Sequence, residues 1–340
     1  MKSIGINFMI EKREGHGEDS DPLYISKDNF YAVGVFDGMG GSGAAMCKSN
    51  YGDHTKAYVA SRIVKDAVES YINSQTETSV IDANGIKQII KSRLEQEKRN
   101  FPAKASGLRS RLVRDYPTTL ALITSQIIDE YSSITSYWAG DSRNYLWNEN
   151  GFFQISKDDL DIESDPLENL RNDSALSNCV CADRDFSINH KEIKVQGKYI
   201  LISATDGCFG YLLTPMHFQN ILLTGLQLSS NIEDWCEYIK EEFTKATGDD
   251  VSISLCAIGY GCFEELKETF KESKIVELEN LHKIQIEINR LTAELEQNKA
   301  ALENSIQKGW NGYKESYLKY FLDKQQEETQ QNNIMPQEDK

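Results

Sequence analysis

The sequence contains no apolar run close to the roughly 20 residues that span a bilayer, so a membrane protein is not expected. It is also poor in basic residues, because 37 Lys and Arg stand against 53 Asp and Glu in 340 residues. The net charge of −16 repels phosphate backbones and anionic lipids, which argues against binding to nucleic acid or to a membrane surface. The first apolar stretch is too short, and too soon interrupted by charge, to be a signal peptide.

The seven cysteines include no C-x-x-C pair, and their odd number and scattered positions indicate no disulfide framework. Cys179 and Cys181 would share one face of a strand, but the sequence offers no matching Cys or His pair for a zinc site. Free thiols in a reducing compartment are the better interpretation, so we expect a cytoplasmic protein.

Hydrophobic residues make up 39% of the chain, which is enough for a substantial buried core. Runs rich in β-branched and aromatic residues predict strands at 29–36, 119–126, 133–139, 145–147, 198–204 and 251–259. Helical patterns fit 55–73, 86–100, 216–223 and 232–244. The helices fall between the strands without regular β-α-β alternation, which predicts an α+β fold with mostly antiparallel sheets.

The composition changes near residue 263. Residues 1–263 hold nearly all of the glycines and all of the predicted strands, and we expect them to form the catalytic domain. Residues 264–308 contain neither Gly nor Pro and predict one long charged helix. We therefore assign 264–328 to a helical coiled-coil extension and 329–340 to a disordered polar tail.

Four predicted strands carry an aspartate at one end: Asp37, Asp141 and Asp206 follow strands, and Asp249 precedes one. Two of the four are Asp-Gly pairs, which are typical of hairpin turns. The segments that follow these pairs are Gly-rich or helical in pattern and do not return as strands. The alternative is a cluster of carboxylates at one sheet edge, where like charges require a cation. Oxygen ligands favour Mg²⁺ or Mn²⁺ over zinc.

Six short segments extend this pattern in order over residues 1–262: Gly17-Glu18-Asp19-Ser20, Val35-Phe36-Asp37-Gly38-Met39-Gly40-Gly41, Thr118-Thr119-Leu120-Ala121, Ala139-Gly140-Asp141-Ser142-Arg143, Ser203-Ala204-Thr205-Asp206-Gly207 and Gly248-Asp249-Asp250-Val251-Ser252. Together they resemble the metal-dependent Ser/Thr protein phosphatases, the type 2C or PPM family. The resemblance implies an α-β-β-α sandwich, in which two mostly antiparallel sheets flanked by helices hold a two-metal site at one edge.

Carried over to these positions, the resemblance implies the metal ligands Glu18, Asp37, Gly38 (through its carbonyl), Asp141, Asp206 and Asp249. Asp37 would bridge two Mg²⁺ or Mn²⁺ ions, and Asp141 would support a third, weaker ion. Asp250 stands where many members have Asn, so we expect it to orient its neighbour rather than bind metal. Arg143 is expected to pair with nearby carboxylates.

The implied activity is that of a hydrolase, a protein-serine/threonine phosphatase in which a hydroxide bridging two metal ions attacks phosphorus. Asp37, Asp206 and Arg13 are the predicted catalytic residues. The family has an Arg four residues before the Glu18 position to clamp phosphate; this place is Glu14, so Arg13 must act from a slipped register.

A second departure is Met39, which stands where many members have a His that protonates the leaving oxygen. Water, His16 or His54 must then supply this proton. A third departure is the long Gly-rich connection at 41–54, which we expect to shape the substrate entrance.

We therefore expect a phosphoprotein substrate and a signalling role opposite a cognate kinase. One alternative is a catalytically weak, phosphatase-like binding module assembled through its coiled coil, and the altered clamp and missing acid motivate it. A metallohydrolase acting on small phosphoesters is the other alternative.

The helical extension carries apolar residues in alternating steps of three and four: Leu281, Ile284, Ile288, Leu291, Leu295 and Leu302, with Asn298 in the remaining position. This spacing predicts a coiled coil, so we expect a homodimer or a contact with a partner helix through 275–308. The alternative is a single helix docked on the catalytic domain. Gly309 and Gly312 predict a turn, after which the aromatic segment would fold back or offer a partner surface.

Overall fold

The computed structural model describes residues 2–75, 81–102, 113–161, 165–171 and 174–332. The chain divides into two compact units, Met1–Lys274 and Ile275–Lys340. No helix in the described ranges combines the length and the apolar character needed to cross a membrane.

The described part of the first unit contains twelve strands: β1 (Ser3–Ile10), β2 (Leu23–Lys27), β3 (Phe30–Val35), β4 (Met46–Ser49), β5 (Gly52–Thr55), β6 (Leu120–Ile128), β7 (Tyr131–Ala139), β8 (Arg143–Asn148), β9 (Gly151–Gln154), β10 (Asn189–Val195), β11 (Tyr199–Ala204) and β12 (Val251–Ile258). Its helices are α1 (Gly40–Gly43), α2 (Lys56–Ser74), α3 (Ala83–Asn100), α4 (Pro166–Asn169), α5 (Pro215–Leu228), α6 (Ile232–Ala246) and α7 (Phe263–Thr269). The second unit contains α8 (Val276–Asn332).

Two five-stranded sheets form the centre of the first unit, with strand orders β1-β12-β11-β8-β9 and β10-β7-β6-β3-β2. Every neighbouring pair in both sheets is antiparallel. The predicted α+β class with mostly antiparallel sheets is therefore confirmed.

The alternation of side chains along β3 shows how the layers form. Val33 points between the two sheets, where it packs in one cluster with Leu201 and Cys256 of the other sheet. Ala32 points the opposite way, into a core that includes Val64 of α2. On the far side of the molecule, α5 and α6 cover the first sheet, and the Phe218 ring lies 5.0 Å from Tyr145 of β8. The four layers make the predicted α-β-β-α sandwich.

All six predicted strands and all four predicted helices are present, with ends displaced by a few residues. Six strands were not predicted from the sequence: β1, β2, β4, β5, β9 and β10. The long Gly-rich connection at 41–54 contains most of α1 and most of the β4–β5 hairpin.

The prediction of one continuous helix from residue 264 is wrong, since α7 ends at Thr269 and α8 begins at Val276. Helix α7 is part of the first unit because Phe263, Leu266 and Phe270 are buried, and the Phe270 ring lies 4.5 Å from Trp147.

Helix α8 continues through Gly309 and Gly312, so the turn predicted there does not form. Residues 329–332 of the predicted tail are the end of this helix, and 333–340 lie outside the described residues.

Candidate metal centre

Asp37 follows β3, and the start of β6 fixes its backbone. The Thr119 amide donates a hydrogen bond to the Asp37 carbonyl at 2.8 Å, and the Thr118 hydroxyl donates to the same oxygen at 2.6 Å. At Gly38, a Cβ atom would lie 2.4 Å from the Glu18 carbonyl oxygen, so only glycine lets these two segments approach so closely. Helix α1 follows, so this Asp-Gly pair does not form a hairpin turn.

Glu18 is held from the first turns of α2. The Thr55 hydroxyl donates to its carboxylate at 2.5 Å and also caps α2 by accepting from the Tyr58 amide. The Ser61 hydroxyl donates to the Glu18 main-chain carbonyl at 2.6 Å. The carboxylate lies over Gly40, where a Cβ atom would come within 1.7 Å of Oε2. The Glu18 side chain is therefore oriented by α2 and by the glycine-rich segment after β3.

Asp206 follows β11 and opens a short 3₁₀ helix, Asp206–Cys208, instead of a hairpin. The ends of β11 and β12 are joined by two hydrogen bonds, from the Thr205 amide to the Ser252 carbonyl at 3.0 Å and from the Ser252 amide to the Thr205 hydroxyl at 2.9 Å. This register places Asp206 beside the segment that precedes β12, where Asp249 and Asp250 lie.

Asp250 accepts two backbone hydrogen bonds across the unit, from the Lys12 amide at 2.8 Å and from the Glu18 amide at 2.6 Å. Its own amide donates to the Asp249 carboxylate at 2.8 Å. Asp250 thus closes the loop 12–18 against the start of β12, and its role as an orienting residue rather than a metal ligand stays a prediction. Asp249 itself is exposed.

Asp141 follows β7 after Gly140, whose φ of +110° is one that residues with a side chain rarely adopt. Next to it, the Ser142 hydroxyl lies 2.7 Å from the Thr119 hydroxyl, which ties this turn to the segment that holds Asp37. Arg143 is buried and forms three hydrogen bonds to Asp158, at 2.9, 3.3 and 2.6 Å. It therefore has a structural carboxylate partner, as expected.

The carboxylates at these strand ends, together called the carboxylate edge, destabilise one another. They belong to Glu18, Asp19, Asp37, Asp141, Asp206 and Asp249. Burial, followed by Asp19, Asp206 and Asp141, raises the pKa of Asp37 well above its usual value. Burial and the charge of Asp206 raise the pKa of Asp141 to about 7. Burial and Asp249 raise the pKa of Asp206 to about 6, and a hydrogen bond with Asp37 partly offsets this rise. The strand ends therefore bring together the aspartates that the sequence singled out.

The same repulsion extends to Glu18 and Asp19. Burial, then Asp250 and Asp206, raises the pKa of Asp19 to about 8, although Thr205 donates to its carboxylate at 3.0 Å. Burial raises the pKa of Glu18, and the hydrogen bond from Thr55 opposes this rise.

The donor chemistry of this edge fits a hard divalent cation. Its side-chain donors are carboxylate oxygens, and a cation between them would relieve the repulsion that raises their pKa values. Across the described ranges, no three Asp, Glu, His or Cys side chains are arranged closely enough to hold a metal ion as they stand. We expect Glu18, Asp37, Asp206 and Asp249 to hold Mg²⁺ or Mn²⁺.

The structure does not group Arg13 with the carboxylates. Arg13 is exposed, in a turn closed by a hydrogen bond from the His16 amide to the Arg13 carbonyl at 2.9 Å. The basic residue that the sequence analysis missed is Arg62 of α2, whose guanidinium lies 3.3 Å from the centre of the Tyr58 ring and donates to the Glu18 carbonyl at 3.3 Å. No local motif marks Arg62, because Glu18 lies 44 positions away from it in the chain.

No family model and no curated protein matches this sequence. Solved structures do match. The serine/threonine phosphatase Stp1 from Staphylococcus aureus is similar with a TM-score of 0.52 and 19% identity, over 76% of this chain and 94% of that chain. The Mycobacterium tuberculosis serine/threonine phosphatase PstP/Ppp is similar with a TM-score of 0.51 and 14% identity, over 76% and 99%. A bacterial serine phosphatase is similar with a TM-score of 0.50 and 17% identity, over 76% of this chain and 98% of that chain. The resemblance carried by the six motifs is therefore confirmed for the fold, and this chain has the fold of the bacterial Ser/Thr phosphatases of the type 2C family.

Proposed function

We propose that this protein is a metal-dependent phosphoprotein phosphatase that hydrolyses phospho-Ser and phospho-Thr esters at the carboxylate edge. The observation that carries the proposal is the grouping of Asp37, Asp141 and Asp206 at three strand ends, where Asp206 and Asp141 raise the pKa of Asp37 and Asp206 raises the pKa of Asp141. Buried like charges are costly, and a chain that keeps them without a cation would gain nothing from them.

The proposed metal ligands are Glu18, Asp37, the Gly38 carbonyl, Asp206 and Asp249 for two ions, with Asp141 for a third. When bound, Mg²⁺ or Mn²⁺ ions activate a water molecule and neutralise charge on the phosphoryl oxygens. The protein's part is to fix the ligands. Thr118 and Thr119 hold the Asp37 backbone, and Asp250 holds Glu18 from the opposite side.

Two further steps, phosphate binding and protonation of the leaving oxygen, are proposed to involve residues of the loop 12–18 and the β4–β5 hairpin. The exposed Arg13 is proposed to bind the substrate phosphate, since a guanidinium offers a planar fork to phosphate oxygens. Met39 has no transferable proton, so water, His16 or His54 protonates the leaving oxygen. Of the two histidines, His54 is the more constrained, because its ring stacks on Tyr58 at 3.8 Å between centroids.

The proposal also covers the setting of the protein. All seven cysteines are free, which supports a reducing, cytoplasmic location. A phosphoprotein substrate implies a cognate kinase that supplies the phosphoryl group, and hence a signalling role. Helix α8 is proposed to serve assembly, as a homodimer or through a partner helix.

The test is phosphate release by the full chain from phospho-Ser and phospho-Thr peptides and from a small aryl phosphate, with Mn²⁺ or with a chelator. We expect turnover of the peptides only with metal, and no inhibition by thiol reagents, because no cysteine acts as nucleophile. Turnover of the aryl phosphate alone would instead indicate a small-phosphoester hydrolase. Tight peptide binding without turnover at any metal concentration would identify a binding module and overturn the proposal.

A further inference from the structure

Helix α8 displays an apolar seam along most of its length. The seam residues are each between 39% and 81% exposed: Leu281, Ile284, Ile288, Leu291, Leu295, Leu302, Ile306, Trp310, Tyr313, Tyr317 and Tyr320. The helix is unbroken through Gly309 and Gly312. The aliphatic and aromatic parts of the seam therefore lie on one continuous helix.

The spacing of the seam is a heptad repeat with one extra residue. One row of side chains, from Leu281 to Tyr317, advances in steps of seven, except for a step of eight between Leu302 and Trp310. The other row, from Ile284 to Tyr320, contains one step of eight as well, after Asn298. The Trp310 and Tyr317 rings lie 5.7 Å apart, as do those of Tyr313 and Tyr317, so the aromatic rows share one face. Six successive pairs of layers exceed the three or four heptads that indicate a coiled coil.

Asn298 specifies what can cover this seam. It is the one polar residue in the two rows, and its amide both donates and accepts hydrogen bonds. Opposite another Asn298, the two side chains can pair with each other. Opposite an apolar residue of a shifted or antiparallel helix, the amide would be buried without a partner, which is costly.

The extra residue gives a second and independent constraint. A partner helix with uninterrupted heptads would lose phase with the seam beyond Leu302, whereas an identical helix carries the same step of eight at the same level. Side-chain charge agrees with this pairing, since a parallel match in register places Glu294 of one helix near Lys299 of the other.

We propose that the occupant of the seam is a second copy of this chain, which pairs with the first as a parallel, in-register coiled coil over residues 281–320. This deepens the assembly role given to α8 in the proposed function. A parallel pair places residue 275 of both copies at the same end of the coil. The dimer would then present two catalytic units to one phosphoprotein assembly.

The chain offers a matched pair of variants for the test, because Ile284 lies in the seam and Ile286 lies outside it, yet both are 57% exposed. In sedimentation equilibrium on the full chain, Ile284→Glu should raise the dimer dissociation constant by about 100-fold or more, and Ile286→Glu by less than about 3-fold. Circular dichroism checks that both variants keep their helix. A monomeric wild-type protein at about 20 μM, or equal effects of the two substitutions, would overturn the proposal.

Orientation is tested by oxidation of variants that each add one cysteine to a Cys262→Ser background, with that background, which keeps the other six native cysteines, as the control. Leu281→Cys and Tyr317→Cys should each form a disulfide-linked dimer alone. Cross-linking only when the two variants are mixed would show an antiparallel pair and overturn the parallel arrangement. Phosphatase activity on a phospho-Ser peptide with Mn²⁺ is measured in parallel. An active monomer would refute the dimer alone, and an inactive dimer would refute the proposed function alone.

Discussion

The carboxylate edge of the first unit and helix α8 of the second both hold side chains in unfavourable surroundings, and the two kinds of surroundings are opposite. At the edge, Asp37 and its neighbouring carboxylates are crowded together with like charge. Along α8, side chains such as Leu291 and Leu302 stand in water without apolar cover. The first arrangement calls for a cation and the second for an apolar helix surface. In each region, the property that makes the surroundings unfavourable, like charge or exposed apolar surface, indicates the chemistry of the group that would bind there.

The two regions also differ in how the chain encodes them. The edge depends on contacts between distant residues, as in the hydrogen bond from the Glu18 amide to Asp250, which spans 232 positions. The seam of α8 depends on a local repeat that recurs along one helix. Substitutions at the edge should therefore affect ligand geometry, and substitutions in the seam should affect assembly alone.

The largest expected effect is on turnover. Asp37→Asn and Asp206→Asn should each lower kcat on a phosphopeptide by about 10³-fold or more, because each removes a negative ligand from the metal site. Asp185→Asn is the matched control, since this carboxylate is paired with Lys87 and Lys91 at the surface. Wild-type turnover by Asp37→Asn in Mn²⁺ would show that the site is assigned wrongly.

Truncation sharpens the boundary between the two regions. Ending the chain at 263 removes the buried side chains of Leu266 and Phe270, each worth roughly 1.5–3 kcal/mol, whereas ending it at 274 removes neither. In thermal denaturation, 1–263 should therefore unfold well below 1–274, and 1–274 should keep the phosphatase activity of the full chain. Equal melting temperatures of the two fragments would contradict the packing described for α7.

Metal binding should stabilise the edge and leave α8 unchanged. With Mg²⁺ at 100 times its dissociation constant, the melting temperature of the first unit should rise by roughly 5–10 °C over that in chelator. Asp37→Asn should be more stable than the wild type in chelator, because one repelling charge is gone, and should show little further rise with Mg²⁺. A rise in melting temperature equal to that of the wild type would show that Asp37 does not bind the ion.

Asp250→Asn tests the clamp on the loop 12–18. The amide offers one acceptor oxygen where the carboxylate offers two, so either the Lys12 or the Glu18 amide loses its partner. The Mn²⁺ concentration for half-maximal activity should rise by about 10-fold through Glu18, with a smaller change in kcat. Unchanged metal dependence would mean that the loop is held by other contacts.

The smallest effect is expected for the phosphate clamp. Arg13→Ala should raise KM for a phosphopeptide by about 10-fold with little change in kcat, and Arg13→Lys should restore the affinity only in part. Lys12→Ala, one residue away in the same loop, is the control for general loss of charge. If KM is unchanged in Arg13→Ala, this arginine is an ordinary solvated side chain.

Much of the fold could be predicted from the sequence because the central strands are continuous apolar runs, as in β11, where every residue is buried. The missed strands lack that signal. Strand β10 (Asn189–Val195) is largely polar and lies at a sheet edge, and β4 and β5 form a short, mostly exposed hairpin. Strand β10 pairs with β7, which is remote in the sequence, whereas β4 and β5 pair only with each other.

The four aspartates Asp37, Asp141, Asp206 and Asp249 stand out in the sequence because each follows or precedes a predicted strand, whereas only the family resemblance points to Glu18. The groups that hold these acidic residues could not be predicted. Thr55, Ser61 and Arg62 fix Glu18 from α2, but nothing in their local sequence points to a residue about 40 positions earlier. In α8, the glycines predicted a turn because Gly is a poor helix former, yet the surrounding helix-forming residues carry the helix across both of them.

The most direct test of the account is the binding of Mn²⁺ to the full chain, followed by the electron paramagnetic resonance of the free ion at equilibrium. The carboxylate edge predicts at least two bound ions per wild-type chain and the loss of at least one of them in Asp206→Asn, with Asp185→Asn unchanged. A wild-type chain that binds no Mn²⁺, or an Asp206→Asn chain that binds as many ions as the wild type, would contradict the claim that these carboxylates are gathered to hold metal.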